Sequence, residues 1–357
     1  MAAWRFALMG LILAVPNTTR GLRASPGSIT LAITGDVALH RNHVDPRLPT
    51  LPMEKNPYRH MAVHLGGVDL AVTNFEGVIM RRDPRYAVPR LNLWVPPVWA
   101  TAFRPAGVGL VTLANNHIMD GRHEGVLETV GYLRKQGLQT IGAGKDDAEA
   151  RQPYLFRRGA ACVGFLPATT ILNKRERREA RVAYYPMERQ AELLGAVRTL
   201  AQRCSFVVVL LHFGRAGVHF PEGAKTRLAR QVIEAGASLV AGGQPHVLQG
   251  VEYFQKGVIA YSLGNFIFPN ALWSQRRTGL LMVELSAEAR PRLRRLELIP
   301  ALIERDTWAP RPLTSPSDQR QALDHMRSYC RPFGTRVTLA NGRIRFAPPS
   351  ASSQAPR

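Results

Sequence analysis

Along residues 28–266, short apolar runs alternate with polar clusters and amphipathic segments. The runs are nearly continuous and rich in β-branched residues, which predicts strands that are buried on both faces of a sheet. They cover residues 28–36, 67–76, 107–117, 138–144, 161–170, 206–214, 238–246 and 257–266.

Segments between these runs predict helices, because apolar residues recur in them at helical spacing. In the first segment Val126, Val130 and Leu133 share one face, and Gly137 supplies a helix stop. Asp120 precedes this helix and is a candidate N-cap. Strands that alternate with helices favour a layered α/β fold. The helical segments lie at 122–136, 188–203 and 222–235.

The C-terminal part has a different pattern. Two alternating runs flank Gln255, Lys256 and Gly257, which predicts a hairpin over residues 251–264. Further along the chain the pattern predicts a strand pair, a weak helix and a final hairpin. These lie at 279–300, at 317–330 and around Asn341 and Gly342.

The N-terminus resembles a secretory signal. Arg5 precedes the apolar stretch Phe6–Val15, which is too short to span a bilayer, since spanning takes ~20 residues. The small residue Ala24 follows near a cleavage point, although Arg23 beside it is unfavourable there. This pattern predicts an extracytoplasmic or membrane-associated protein, exported or retained by an uncleaved anchor.

The composition is that of a globular protein, with 45% hydrophobic and 20% charged residues. The net charge of +21 favours polyanionic partners. The alternative is that the basic residues are spread over a solvated surface. No helix-turn-helix, zinc-finger or RNA-recognition signature accompanies the charge, which argues against nucleic-acid binding.

The three cysteines exclude a disulfide framework and show no CxxC spacing for a metal. Cys162 and Cys204 begin apolar runs, which predicts buried thiols and leaves a single bridge open.

Polar residues stand at the same position in several of the predicted strand–loop units, at the end of the strand. Each one alone has an ordinary interpretation: Asp36 suits a turn, and His212 suits a hydrogen-bonded core histidine. Their recurrence is harder to dismiss, because sites in open α/β sheets form outside the carboxyl ends of strands. The residues are Asp36, Glu76, Asn116, His117, His212 and His246.

This mixture of carboxylate, amide oxygen and imidazole donors suits Mn, Fe or Zn. A carboxylate that bridges two ions ~3.5–4 Å apart is typical of two-metal phosphoryl hydrolysis. In such a site, His117 would stand beside the metals and donate a proton to the leaving group.

Several motifs resemble the CapA family, which is named for capsule and poly-γ-glutamate synthesis. The resemblance covers residues 30–268, with a weaker continuation to 305. The motifs occur in the family's order and are TGDVALHR, VTNFEGVI, LANNHIMDGRHEGVLETVGYLRKQGLQTIGAG, VVLLHFG and PHVLQGVEYFQKGVIAYSLGNFIF.

The family is similar to the calcineurin-like metallophosphatases, which implies a four-layer αββα sandwich. By this resemblance His117 matches the catalytic histidine, and Asp120 matches a residue that orients it. The positions that match metal ligands are Asp36, Glu76, Asn116, His212 and His246. The implied cofactor is one or two divalent ions.

The chain departs from the family pattern at one motif. Where the family has Gly-His-His-Pro-His, this chain has Gly243 and Gln244 in place of the two consecutive histidines. This loss should weaken binding of one ion. Gln244 offers an amide oxygen instead. Arg41, after His40, is a candidate contact for an anionic substrate, and Gln244 is a second candidate substrate contact.

Two functions follow from these observations. The first is a metal-dependent hydrolase in capsule or poly-γ-glutamate synthesis, acting on a small phosphorylated substrate or on an amide such as the γ-glutamyl bond. The second is a non-catalytic, membrane-associated accessory protein that binds an anionic polymer within a synthesis complex. The sequence leaves catalysis open.

The predicted organisation has four parts. They are a signal peptide or anchor at 1–24, a metallophosphatase-fold domain at 28–305, a C-terminal extension at 306–345 and a disordered tail at 346–357.

Overall fold

Two large β-sheets, the two-stranded sheet β3–β4 and the helices that cover the large sheets make up most of the part of the chain that the structure describes. The computed structural model describes residues 27–39, 44–84, 93–173, 181–269 and 272–350. The strands are β1 (Ser28–Val37), β2 (Leu70–Phe75), β3 (Val78–Ile79), β4 (Trp94–Val95), β5 (Val108–Thr112), β6 (Gln139–Ile141), β7 (Tyr154–Arg158), β8 (Ala161–Thr169), β9 (Phe206–His212), β10 (Leu239–Gly243), β11 (Val251–Phe254), β12 (Gly257–Ala260), β13 (Asn265–Ile267), β14 (Arg277–Ser286), β15 (Leu293–Ile303), β16 (Pro310–Pro312), β17 (Arg336–Ala340) and β18 (Arg343–Ala347). The helices are α1 (Ala62–Leu65), α2 (Arg122–Lys135), α3 (Asp147–Arg151), α4 (Gln190–Arg203), α5 (Gly223–Glu234) and α6 (Pro316–Cys330).

Parallel strands form the centre of each sheet. The larger sheet has the order β17-β18-β15-β14-β1-β2-β5-β6, and the smaller has β11-β12-β10-β9-β8-β7. In the larger sheet β1, β2, β5 and β6 are parallel, and in the smaller sheet β8, β9, β10 and β12 are parallel. The loops after parallel neighbours therefore leave from the same edge of their sheet.

The alternation of side chains explains why the apolar runs are nearly continuous. In β9, Val208 and Leu210 belong to the core between the two sheets, whereas Val207 and Val209 belong to the core under α4 and α5. Successive residues of a strand point to opposite faces, so a strand covered on both sides is apolar throughout.

Three hydrophobic cores define four layers. One core lies between the sheets, a second lies between the larger sheet and α2, and a third lies between the smaller sheet and helices α4 and α5. The predicted α/β class and the αββα layering are confirmed. The helices over 122–136, 188–203 and 222–235 are present as α2, α4 and α5, and the hairpins are present as β11–β12 and β17–β18.

Some elements differ from the predictions. Strand β7 was not predicted, because it pairs only with β8 at the sheet edge and carries the charged residues Arg157 and Arg158. Such edge positions lack an apolar pattern. Strand β5 ends at Thr112, so the residues from Leu113 to His117 form a loop and not the end of a strand.

The C-terminal residues continue the larger sheet. Strands β16 and β18 both pair with β15, and α6 covers this end of the sheet. The domain boundary at residue 305 stays a prediction. Strand β18 extends to Ala347, so the segment predicted as a tail begins within a strand, and Phe346 is buried.

The predicted signal or anchor at 1–24 lies outside the described residues, as do residues 351–357. Within the described ranges, no helix has both the length and the apolar character that crossing a membrane requires. Cys162 and Cys204 form a disulfide, which is the bridge that the sequence left open, and Cys330 is a buried free thiol.

Candidate metal centre

The polar residues that follow the central strands meet at one place. Asp36 is the penultimate residue of β1, Glu76 follows β2, and His212 ends β9. One ligand atom each of Asp36, Glu76 and His246 lie within 4.8 Å of one another. The structure also brings Asn116 and His117 to this group. The predicted convergence is therefore present, whereas the roles of these residues stay predictions.

Glu76 lies at the centre of the group. Its side chain is fully buried, and neither carboxylate oxygen accepts a hydrogen bond from any described residue. Its Oε1 is 3.8 Å from His117 Nε2 and 3.9 Å from the Nε2 atoms of His212 and His246. These distances are too long for hydrogen bonds. They suit donors that share a cation, since ligand–metal distances are ~2.0–2.2 Å on each side.

Asp36 is the second buried carboxylate of the group. Oδ1 accepts a hydrogen bond from Asn74 Nδ2 (2.8 Å), and Oδ2 accepts one from the backbone N–H of Gln244 (2.9 Å). Burial raises the pKa of Asp36, but His212 and His246, whose Nδ1 atoms lie 3.7 Å and 3.3 Å from its oxygens, outweigh burial and hold this pKa well below its usual value. Asp36 is therefore a buried carboxylate anion.

His212 and Asn116 form a direct contact across the two sheets. His212 Nε2 lies 2.9 Å from Asn116 Oδ1, and His212 Nδ1 lies 3.1 Å from Asn74 Nδ2. Donation from Asn74 to Nδ1 would place the ring proton on Nε2, facing the Asn116 oxygen. This contact orients both predicted ligands, and an ion that bound His212 Nε2 would displace this proton.

His246 occupies a strained loop. It has a φ of +58°, and Gln244 two residues earlier has a φ of +92°, both in a region that non-glycine residues rarely adopt. Its Nδ1 lies 2.9 Å from Asn265 Oδ1, which leaves Nε2 facing Glu76. Burial lowers the pKa of His246, but Glu76 and Asp36 outweigh burial and raise it to about 9. The two carboxylates therefore favour a positive charge between them.

His117 is paired with Asp120, which corrects the helix-cap interpretation. His117 Nδ1 lies 2.7 Å from Asp120 Oδ2, whereas the N-cap position of α2 is Gly121 and no side chain caps that helix. Burial lowers the pKa of His117, but the hydrogen bond to Asp120 and the charge of Glu76 more than compensate and raise it. This arrangement suits a proton donor.

The loop that departs from the family pattern lies against the site. A Cβ atom at Gly243 would lie 2.5 Å from Asp36 Oδ1 and 3.2 Å from His212 Nδ1. A side chain there would collide with Asp36 in this loop conformation, so this position contributes no side-chain donor to the group. Gln244 contacts Asp36 through its backbone, and its own Oε1 is buried without a hydrogen bond among the described residues. Its substrate contact stays a prediction, and Arg41 and His40 lie outside the described residues.

Three amides that the sequence did not single out orient the predicted residues. Asn74 contacts Asp36 and His212, Asn265 contacts His246, and Asn173 Nδ2 lies 3.2 Å from His117 Nε2. Asn74 lies inside β2 and Asn265 begins β13, so neither follows a strand. Their presence within the motifs VTNFEGVI and YSLGNF was the available signal.

A buried lysine lies beside the site. Lys225 is 4% exposed, its Nζ donates a hydrogen bond to Gln249 Oε1 (2.9 Å), and it lies 4.3 Å from the ring centroid of Phe213. Burial lowers the pKa of Lys225 to about 7, against the attraction of Glu222 and Asp36. The unfolded chain therefore binds more protons than the folded chain between pH 7 and the ordinary lysine pKa of ~10.4.

We expect the free energy of unfolding to rise with pH across this window because of Lys225. Substituting Lys225→Met should raise the free energy of unfolding at pH 7 by a few kcal/mol, at ~1.4 kcal/mol per pKa unit, and flatten the rise. Urea denaturation at pH 7, 8.5 and 10 measures both effects. The exposed Lys256→Met is the control. Profiles of equal slope in the wild type and Lys225→Met would contradict the assignment.

Comparisons with known proteins give one family and several distant relatives. A family model described as "Bacterial capsule synthesis protein PGA_cap" matches residues 30–270. "Capsule biosynthesis protein CapA" of Bacillus anthracis is 26% identical over 310 residues, which cover 84% of this chain and 72% of that protein. "PGA biosynthesis protein CapA" of Bacillus subtilis (strain 168) is 26% identical over 245 residues, which cover 68% of this chain and 63% of that protein.

Among solved structures, the NAD nucleotidase of Haemophilus influenzae aligns with a TM-score of 0.46 and 13% sequence identity. The alignment covers 84% of this chain and 62% of the nucleotidase.

Proposed function

Because the chain belongs to the bacterial capsule synthesis family PGA_cap, we propose that it acts in the synthesis of an anionic cell-surface polymer as a metal-dependent hydrolase. The observation that carries this proposal is the environment of Glu76. A buried carboxylate without hydrogen bonds, with three imidazole nitrogens 3.8–3.9 Å away, lacks the partners that burial normally requires. A divalent cation would supply them.

The donor set fits such an ion. Carboxylate, imidazole and amide oxygen donors together suit Mn, Fe or Zn. The residues that would hold it are Asp36, Glu76, Asn116, His212 and His246. When bound, the ion would polarise the scissile group and lower the pKa of a water molecule. Because Gly243 offers no side chain at the edge of this group, we expect one ion to bind more tightly than a second.

His117 would provide the proton for the leaving group. Asp120 holds its Nδ1, and its Nε2 faces Glu76 and the metal-ligand group. Hydrolysis would then need only an attacking water and this donor, which fits either a phosphoester or a γ-glutamyl amide. The family is named for capsule and poly-γ-glutamate synthesis, so the γ-glutamyl amide is a substrate to test directly.

A cleft of about 390 Å³ near His246 supports an anionic substrate. The ring of Phe268 lies 4.8 Å from the His246 ring, and the same residue lines the cleft together with Trp273, Arg276 and Arg305. Burial, and then the charge of Arg305, lower the pKa of Arg276. Glu304 also lines the cleft, but its carboxylate is paired with Arg59 and Arg311. The two guanidinium groups of the cleft therefore favour a bound anion, and we expect polymer binding to weaken as salt rises.

The second candidate function is a non-catalytic accessory protein that binds the polymer. The observation that favours it is the loss of a donor at Gly243, together with the net charge of +21. In this case the metal group would be vestigial, and the arginine-lined cleft would carry the function.

Metal analysis and hydrolysis assays separate the two functions. Purified protein would be analysed for Mn, Fe and Zn, then assayed with bis-(p-nitrophenyl) phosphate and γ-glutamyl p-nitroanilide. We expect about one ion per chain and hydrolysis of one substrate that a chelator abolishes and Mn²⁺ restores. No bound metal after titration and no hydrolysis of either substrate, with salt-sensitive polyglutamate binding intact, would favour the accessory function.

We propose export as the setting of this activity. The disulfide between Cys162 and Cys204 supports it, because such bonds persist mainly in oxidising compartments. The signal-like residues 1–24 point the same way. Protease accessibility on intact cells tests the proposal, and full protection of the protein would count against it.

A further inference from the structure

A second cavity lies away from the metal centre, between α6 and the strands β14 and β15. Its volume is about 180 Å³. An apolar cavity of ~150 Å³ accommodates benzene, so this one has room for a body of roughly six to eight carbon atoms. The apolar lining includes Leu298, Ala301, Leu302, Leu313 and Met326.

One end of the cavity is polar and basic. Arg277 lines it and donates a hydrogen bond to His325 Nε2 (3.1 Å). Among the described residues, no carboxylate lies within 4.0 Å of the Arg277 guanidinium. Asp318 also lines the cavity, but it is exposed on the first turn of α6. Arg277 is therefore a charged donor without an anionic partner. Tyr329 closes the wall, with its ring stacked on His219 at 5.1 Å.

We propose that this cavity binds a small amphipathic carboxylate, with its apolar body against the leucines and its carboxylate at Arg277. An inorganic anion would leave the apolar walls without contacts, and a neutral hydrocarbon would leave Arg277 unpaired. Guanidinium and carboxylate form strong charge-assisted hydrogen bonds, which makes the monoanion the best match. This site is separate from the metal group and does not depend on the proposed hydrolase activity.

Calorimetric titration of the full chain with hexanoate and benzoate, each compared with hexanol and benzyl alcohol, tests the proposal. We expect one carboxylate to saturate one site with a Kd between about 10 µM and 1 mM. Its neutral counterpart should bind at least about tenfold more weakly, because it loses the charge-assisted hydrogen bond. Equal affinity for acid and alcohol, or no saturation by either acid at ~10 mM, would overturn the proposal.

Variants locate the site. Arg277→Gln should weaken carboxylate binding by about tenfold or more, and Ala322→Leu, which fills the cavity, should abolish binding of the acid and the alcohol alike. Arg320→Gln, on the exposed face of α6, should have no effect. Should Arg277→Gln fail to fold by circular dichroism, Arg277→Lys tests the same end of the cavity, because lysine lacks the guanidinium fork and should weaken carboxylate binding. Unchanged affinity in the folded variant would refute the site.

Discussion

Replacing Glu76 with glutamine is expected to lower the affinity of the chain for Mn²⁺ by on the order of 100-fold or more. Glutamine keeps the size of the side chain and removes the charge that faces three imidazoles at 3.8–3.9 Å. Loss of a group that merely orients a ligand costs ~10–100-fold in metal affinity, so loss of a central ligand should cost at least as much. Calorimetric titration of the metal-free protein measures the effect.

The same substitution should change the stability of the metal-free protein little. Burying the Glu76 carboxylate costs several kcal/mol. A charged imidazole at ~4 Å returns a similar amount, about 4 kcal/mol at an effective dielectric constant of ~20. We therefore expect the two effects to offset each other within about 1 kcal/mol.

Most of the metal-dependent stabilisation should disappear. At an ion concentration ~1,000 times the dissociation constant, the wild type should gain about 4 kcal/mol in the free energy of unfolding, whereas Glu76→Gln should gain about 1–2 kcal/mol or less. The exposed Glu188→Gln is the control and should behave as the wild type. Equal stabilisation of Glu76→Gln and the wild type by Mn²⁺ would show that Glu76 is not a ligand.

Most of this site could be predicted from sequence because its chemistry follows strand order. Parallel strands of one sheet bring the residues at their ends to one edge, so Asp36 and Glu76 were expected to meet once the runs were recognised as strands. His212 ends a strand of the other sheet. The meeting of the two sheets at Glu76 was not contained in the strand pattern. It was implied only by the motifs that resemble a known family.

The sequence pattern does not determine the role of Asp120. An aspartate before a helix is compatible with capping the backbone and with holding a histidine three residues earlier. Both roles require the same residue types at the same spacing, so the sequence does not distinguish them. The structure selects the second, because the loop from Leu113 to His117 directs His117 Nδ1 towards the carboxylate. Asn115 fixes that loop by accepting hydrogen bonds from the backbone N–H groups of His117 and Ile118.

The sequence pattern also does not predict which residues far apart in the chain meet in the fold. Cys162 and Cys204 are 42 residues apart, and their bridge depends on how β8 and α4 pack. The cavity between α6 and β14 likewise depends on the C-terminal elements, whose pattern predicted a helix and a hairpin without predicting the surface that they cover.

Replacing His117 with glutamine should lower hydrolysis by about 10²–10⁴-fold while leaving Mn²⁺ affinity within about threefold. The effect should depend on the leaving group. A leaving group acidic enough to depart as an anion needs no proton, so p-nitrophenyl and p-nitroanilide substrates should differ, with the poorer leaving group showing the larger loss. Rates for a series of aryl phosphoesters of decreasing leaving-group acidity, in the wild type and His117→Gln, measure this dependence.

Asp120→Asn should reproduce the leaving-group dependence of His117→Gln in weaker form, because an amide still contacts Nδ1 but stabilises the charged imidazole less. The alkaline limb of the pH–rate profile, where the proton donor is lost, should shift to lower pH as well, since Asp120 helps to raise the pKa of His117. His64→Gln, in α1, is the control and should leave rates and the pH profile unchanged. A uniform rate loss across all leaving groups would mean that His117 positions substrate or metal and does not donate the proton.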